Sequence, residues 1–355
     1  MMHNILVINP GSTSTKVALY QGETELFSKA IDHSAKTLAP YGKVQEQFEM
    51  RKEVALACLR ENGFKAADLA AVVGRGGMVP RVESGAYQVN ETMVRRLKDH
   101  PVIEHASNLG ALVAYEIARD LDIPAYIYDS VRVDEMKSIA RISGMPEIPR
   151  TSTSHALNSR AMALKLAKKM GRSYSDLNLI VAHLGGGISL TVHERGRMVD
   201  LISDDEGPFS PERAGRVPCK ALIDCCYSEK YDQKTMHQKL RGKGGLKAYL
   251  NTADAREVEG MIMAGNQNAA EIYEAMAYQV AKGIGELATV VEGRVDAIII
   301  TGGIAHSAML TEWIRRRVAF IAPVEIMPGE NEMEALALGT LRVLRGEEKA
   351  KEYVE

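Results

Sequence analysis

Three glycine-rich turns, each set against a short apolar run, are the places where this sequence can hold an anion. Asn9-Pro10-Gly11-Ser12-Thr13-Ser14 follows the run Asn4 to Ile8, Gly185-Gly186-Gly187 follows Asn178 to Leu184, and Thr301-Gly302-Gly303 closes Ala297 to Thr301. Glycine lets backbone N–H groups approach an anion closely, and hydroxyls add donors, so a strand followed by such a turn can cradle nucleotide phosphates. The donors on offer are Ser12 and Ser14 in the first turn, His183 with Gly185, Gly186 and Gly187 in the second, and Gly302, Gly303 and Ile304 in the third. Lys16 reads equally as a phosphate-facing charge or a solvated strand-edge lysine. Neither G-x-x-x-x-G-K-[ST] nor G-x-G-x-x-G after the first strand is present, which excludes a P-loop enzyme and a dinucleotide fingerprint.

Four further residues have side chains fit for chemistry. Arg75 lies in Gly74-Arg75-Gly76-Gly77 directly after an apolar run, and its planar guanidinium can grip a carboxylate with two parallel bonds. Asp129 ends the run Ala125 to Tyr128, at the strand terminus where α/β proteins bind ligands. His155 stands at a helix start, where it serves catalysis or its own turn. Glu334 opens the last helix, where acids also complement the helix dipole.

The elements that must position these residues repeat. Asn4 to Ile8, Lys16 to Tyr20 and Leu26 to Ile31 read as an antiparallel meander. Asn178 to Leu184, Ile188 to His193 and Arg197 to Ile202 repeat the pattern, which points to an internal duplication. Helical spacing marks Gln45 to Glu61, Ser107 to Leu121, Ser154 to Met170, Gln267 to Glu292 and Asn331 to Arg345, with strands between. Strands alternating with helices indicate α/β layers. Gly144, Pro146 and Pro149 break the pattern between Ser130 and Thr151, which marks the weakest boundary.

Composition narrows the classes. The 355 residues suit two domains, and the formal net charge of −2 leaves no basic footprint for nucleic acid or an anionic membrane. Four cysteines without metal-ligand spacing favour a reducing compartment, so a cytoplasmic location is expected. No apolar run approaches the roughly 18 residues a membrane helix needs.

The runs ILVINPGSTSTK, VVGRGG, IEHASNLGA, YDS, TSTSHALNSR, VAHLGGGIS, GPFSPERAGRVP, ITGGIAHS and GENEMEALALG occur in order along the chain. Together they resemble the carboxylate kinases of the acetokinase family, in the acetate and sugar kinase, heat-shock protein and actin superfamily. NPGSTSTK and HASNLG are closer to the butyrate kinases than to the acetate kinases. The resemblance implies an α/β fold of two duplicated actin-like (ribonuclease H-like) domains with a central cleft. The expected division is 1–140 plus 331–355, carrying the carboxylate side, and 141–330, carrying the nucleotide side.

The implied reaction is reversible, ATP-dependent phosphorylation of butyrate to butyryl phosphate. Acetate, propionate or a branched carboxylate is the alternative acceptor. A non-catalytic nucleotide-gated protein on the same fold is a more remote one. ATP or ADP and Mg²⁺ are the implied cofactors, with a short-chain carboxylate and its acyl phosphate as partners and a homodimer or larger homo-oligomer as the assembly. By resemblance, Arg75, Asp129, His155 and Arg216 are catalytic, with Arg81 and Arg213 as competitors of the two arginines. Arg75, His105 and Asn108 shape the carboxylate site. Asp254 and Arg256 join the three turns in holding the nucleotide. Asn9 and Glu334, or Glu332 in its place, serve the magnesium ion.

Overall fold

In the computed structural model, which describes residues 3–355, contacts divide the chain into two units. The first runs to Asp134 and takes up the chain again at Asn331–Glu355; the second is Glu135–Glu330.

The first unit is built on a seven-stranded sheet. Its strands are β1 (Asn4–Pro10), β2 (Ser14–Gln21), β3 (Thr24–Asp32), β4 (Ala71–Arg75), β5 (Ala86–Gln88) and β6 (Ala125–Tyr128), with β12 (Lys351–Glu352) at one edge. Their order is β12-β5-β6-β4-β1-β2-β3. The β1–β2 and β2–β3 pairs are antiparallel, and β4 joins β1 and β6 joins β4 in parallel. Leu6, Ile8, Val17 and Leu19 point into a core shared with the helices Phe48–Glu61 and Asn108–Asp120. The helix Glu332–Leu344 packs on β1, β4 and β6.

In the second unit, β7 (Asn178–Leu184), β8 (Ile188–Glu194), β9 (Arg197–Ile202), β10 (Ala297–Gly302) and β11 (Val324–Pro328) are ordered β11-β10-β7-β8-β9. Again the first three are antiparallel and the last two add in parallel. This is the strand order of β6-β4-β1-β2-β3, so the duplication legible in the sequence is present in the topology. Alternation along β7 divides the apolar side chains between two cores, as the period of two requires. Ile180 and Ala182 meet the long helix Gln267–Ala288, while Leu179 and Val181 share their core with the helix Ala156–Met170.

Two close approaches bring functional residues into place. A Cβ on Gly74 would lie 2.0 Å from the Gly110 carbonyl oxygen, so β4 and the helix Asn108–Asp120 touch backbone to backbone just before Arg75. Gly302 has φ +89°, and a Cβ there would meet the Leu184 carbonyl oxygen at 2.4 Å, which draws the third glycine turn onto the second.

The meander strands, the β6 span and the final helix match the sequence reading to within a few residues. Strands β5, β11 and β12 and the helices Glu91–Asp99, Cys219–Cys226, Gln233–Leu240, Gly245–Leu250, Ala255–Met263 and Ala308–Val318 were not legible there. Most are a few turns or residues long and take their definition from tertiary packing. The helix expected from Ser154 runs from Ala156 to Met170, with His155 at its cap position making no side-chain capping bond. Among the described residues, no helix is long and apolar enough to cross a membrane.

Candidate active site

In the first unit, Arg75 is the focus of the site residues. It is 8% exposed, and one terminal nitrogen donates to the Asp129 carbonyl oxygen at 3.0 Å. Its Nε stands 3.9 Å from Glu332 Oε1, beyond hydrogen-bond reach. The other N–H groups of this guanidinium have no hydrogen-bond partner among the described residues. A buried guanidinium with open donors is suited to receive an anion. Asn9 donates its side-chain amide to Glu332 Oε2 at 2.8 Å, so it is Glu332 that shares this corner. Glu334 lies two residues further along the helix, about 200° around its axis. Its charge is felt instead at Tyr20. Arg81 is exposed and pairs with Asp134 at 3.3 Å.

Asp129 is buried with φ +40°, and its Oδ1 accepts from the Gly85 N–H at 2.7 Å. His105 Nδ1 accepts from the Ser107 N–H at 3.1 Å, which in the neutral ring leaves the proton on Nε2. Packing around the ring, and then the charge of Arg75, hold its pKa below the ordinary histidine value. The Asn108 amide is engaged by the backbone on both its oxygen and its nitrogen. Its Oδ1 accepts from the Met78 N–H at 2.7 Å and its Nδ2 donates to the Ile103 carbonyl at 3.0 Å, with the side chain buried. It therefore ties the Gly76-Gly77 loop to the His105 loop.

The first glycine turn rests on a residue that sequence reasoning missed. Arg51 is fully buried and has no carboxylate partner among the described residues. It donates to the Ser14 carbonyl at 2.7 Å, the Ser12 carbonyl at 3.3 Å, Thr15 Oγ1 at 3.0 Å and Gln47 Oε1 at 2.8 Å. Holding two turn carbonyls inward fixes the shape of the turn that carries Ser12 and Ser14. Lys16, on β2, is exposed. The signal for Arg51 was a charged residue on the buried stripe Arg51, Ala55, Cys58 and Leu59 of its helix.

In the second unit, His155 and His183 stack with ring centroids 3.9 Å apart and planes 14° from parallel. His155 Nδ1 lies 2.7 Å from Ser189 Oγ. Asn158 donates its Nδ2 to the carbonyls of Gly329 and Glu330, which turns its Oδ1 toward His183 Nδ1 at 2.9 Å. His183 Nδ1 therefore carries the hydrogen, and Nε2 faces the Gly185 turn with a lone pair. Burial, and then the neighbouring His155, push the His183 pKa well below the ordinary value. His193 is fully buried against Tyr174 and Thr191, and burial pushes its pKa down to about 3.

Both lowered values make acid unfavourable for this unit. The unfolded histidines, with pKa near 6.5, bind protons that the folded ones refuse, so stability is lost as pH falls below about 6.5. For His193 the loss continues to about pH 3. Each group adds a slope of up to about 1.4 kcal/mol per pH unit. Urea titrations at pH 7, 6 and 5 are expected to show falling stability, with a shallower fall in His193→Gln. An unchanged slope in that variant would contradict the assignment.

A pocket of about 880 Å³ opens beside the glycine turns, lined by Gly185, Gly186, Asp254, Arg256, Gly303 and Ile304 among others. Asp254 caps the helix Ala255–Met263 and accepts from Arg256 Nη2 at 2.6 Å. The Arg256 bond, helped by backbone N–H groups at the helix start, pushes the Asp254 pKa down to about 2. The residue read as an alternative arginine reaches the glycine turn: the Arg213 guanidinium lies where a Cβ on Gly187 would be. Arg216 is exposed and pairs with Glu286 at 3.1 Å, in a smaller hollow formed with Tyr278 and Lys282.

The sequence profile described as the Acetokinase family matches residues 149–335. The chain is 50% identical over 354 residues to "Butyrate kinase 1" of Clostridium acetobutylicum, covering 99% of this chain and all of that one. It is 47% identical to a "Probable butyrate kinase" of Clostridium botulinum over 355 residues, again covering 99% of this chain and all of the relative. In fold it is similar to the crystal structures of Porphyromonas gingivalis acetate kinase and a Francisella tularensis propionate kinase. The TM-scores are 0.79 and 0.73, at 18% and 19% identity. The first comparison covers 96% of this chain and 99% of the other, the second 95% and 99%. Paired two-unit topology, glycine turns beside a pocket, and full-length identity to curated relatives converge: this chain is a carboxylate kinase of the acetokinase family.

Proposed function

We propose that the enzyme transfers the γ-phosphoryl group of ATP to butyrate, giving butyryl phosphate and ADP, and runs equally in reverse. The observation that carries the acceptor is the buried Arg75 guanidinium with donors left open, in a chain 50% identical to a butyrate kinase. A short carboxylic acid is ionised at pH 7, so no general base is required. The difficulty is electrostatic, because an anion must approach a polyanion.

Arg75 holds the carboxylate, with His105 beside it. The pocket of the second unit holds the nucleotide, its glycine turns facing the phosphates. A carboxylate oxygen forms its bond to the γ-phosphorus while the bond to the β-bridging oxygen breaks. The electron pair leaves on ADP and no proton moves. Arg213, in preference to Arg216, and the His155 ring stabilise the transferring group. His183, stacked on His155 and locked by Asn158, fixes the plane of that ring. Asp129 sets the fork of Arg75 through its carbonyl.

Magnesium fits this chain in a particular way. Among the described residues, no group of three or more His, Cys, Asp or Glu is placed to hold a metal. Asn9 and Glu332 offer hard oxygens at one corner. That suits an ion that keeps most of its waters and travels with nucleotide phosphates, whose charge it offsets when bound. Asn9 and Glu332, rather than Glu334, would hold its water shell. A cytoplasmic homo-oligomer completes the reading, on the cysteine usage and the family resemblance.

His155→Ala is expected to lower kcat about 10²-fold, the scale of one positioned transition-state donor, with KM for both substrates changed only a few-fold. Activity within a few-fold of wild type would assign His155 to the helix start alone. The function itself is tested by ADP release across a carboxylate series from acetate to hexanoate, with glucose as a sugar control. Highest catalytic efficiency with butyrate supports the reading. Preference for acetate moves the enzyme to the alternative acceptor, and turnover with glucose alone rejects it.

A further inference from the structure

One buried carboxylate near the glycine turn is used unevenly. Asp204 is 3% exposed. Its Oδ2 accepts from both Arg213 Nη1 and Arg241 Nη2, the latter at 2.7 Å. Its Oδ1 is buried and has no hydrogen-bond partner among the described residues. A carboxylate serving only to anchor two arginines would share them between its two oxygens, as paired forks do. Here one oxygen carries both guanidiniums and the other carries none.

The guanidiniums are equally underused. The bond to Asp204 is the only side-chain hydrogen bond of Arg213, and likewise of Arg241, among the described residues. Each guanidinium has five N–H donors. Two such forks therefore stand side by side with most of their donors unspent.

The backbone explains how they come together. Ala214 N–H donates to the Leu240 carbonyl at 2.9 Å, and Gly242 N–H to the Glu212 carbonyl at 2.7 Å, so Arg213 and Arg241 face each other across an antiparallel bridge. Gly245, at φ +59°, allows the second loop to close on the first: a Cβ there would lie 1.6 Å from the Ser210 carbonyl oxygen. Ser210 Oγ in turn donates to the Gly186 carbonyl at 2.8 Å. Both loops are thus tied to the turn that lines the pocket. Side-chain exposure of 24% for Arg213 and 53% for Arg241 leaves both forks open to an incoming anion.

We propose that Arg241 is a second phosphate-binding arginine of the nucleotide site, and that Asp204 is the positioning residue that aims Arg213 and Arg241 together at the polyphosphate. An arriving phosphate chain takes up the unspent donors of both forks, while Asp204 keeps their spacing. The assignment rests on the reading of the pocket as a nucleotide site, and names the part of the nucleotide it serves.

The test is calorimetric titration of the full-length enzyme with ATP, inorganic tripolyphosphate and adenosine, without carboxylate. Arg241→Gln is expected to weaken ATP and tripolyphosphate about 10- to 100-fold, the worth of one or two charge-assisted bonds, and to leave adenosine unchanged. Arg241→Lys is expected to recover part of the loss. Equal weakening of all three probes, or no weakening of any, overturns the role of Arg241.

Asp204→Asn keeps the size of the side chain but supplies a weaker acceptor for two guanidiniums. It is expected to lower kcat at least tenfold more than it changes KM for ATP, with Asp204→Glu intermediate and adenosine binding retained. An unchanged kcat, or a fall in adenosine affinity as large as the fall in kcat, overturns the positioning role. Butyrate-dependent ADP release by the unmodified enzyme is recorded in parallel. If that is absent while the phosphate-length dependence holds, the kinase reading fails and the phosphate clamp stands.

Discussion

Replacing Arg213 by alanine is expected to cut kcat/KM about 10³-fold or more, while Arg216→Ala stays within about fivefold of wild type. Arginines that stabilise a transferring phosphoryl group contribute about 10³–10⁵ in rate. The two arginines are three residues apart in one loop, and the sequence motif favoured the second. The fold gives them different surroundings. Arg213 lies against Gly187 at the end of the glycine turn, with Asp204 behind it. Arg216 is spent on Glu286 and the Glu206 carbonyl at an exposed surface. Surface pairs of that kind contribute about 0–1 kcal/mol, so their loss scarcely affects folding. Steady-state kinetics of the two alanine variants decide between them. Loss of activity in Arg216→Ala with a near-normal Arg213→Ala would reverse the assignment.

Arg75 gives the second large effect. Arg75→Ala is expected to lower kcat/KM about 10³-fold, and Arg75→Lys nearly as much. Two charge-assisted bonds to a carboxylate, at about 1.5–3 kcal/mol each, correspond to roughly 4 kcal/mol and three decades of rate. Lysine keeps a positive charge but loses the planar fork. It also loses the bond to the Asp129 carbonyl, so a fall in stability of about 1 kcal/mol accompanies the change. Added guanidinium is expected to restore part of the activity of Arg75→Ala by occupying the vacated space. Kinetics with and without guanidinium, beside melting curves, check this. A fully active lysine variant would show that charge alone suffices.

How far the sequence was readable follows the physics of each feature. Strands Ala125–Tyr128, Asn178–Leu184 and Arg197–Ile202 stand where β-rich runs bounded by turn residues place them, because that signal is local. The duplication was legible as a recurring three-strand pattern, and the parallel additions of β4 and β10 complete it. Choices between near neighbours were not legible. Glu332 and Glu334 differ by two helical positions, and only the packing of that helix decides which faces Asn9. Arg213 and Arg216 share a loop whose path is set by Gly245 and the antiparallel bridge to Arg241, contacts made across more than 20 residues of chain. Asn108 lies in the HASNLG run that carries the resemblance, and its amide bonds two backbone groups that sequence does not reveal as neighbours. Arg51 was invisible for a related reason. A buried guanidinium satisfied by carbonyls has no sequence partner to betray it.

The central claim, that the γ-phosphoryl group passes from ATP to a carboxylate oxygen, is tested most directly by ³¹P NMR of the enzyme with ATP, Mg²⁺ and butyrate. The account predicts an acyl phosphate resonance growing in step with ADP, absent without butyrate, and consumed when excess ADP is added to drive the reaction back. Release of inorganic phosphate alone from the start, with no acyl phosphate at any time and no dependence on butyrate, would contradict it.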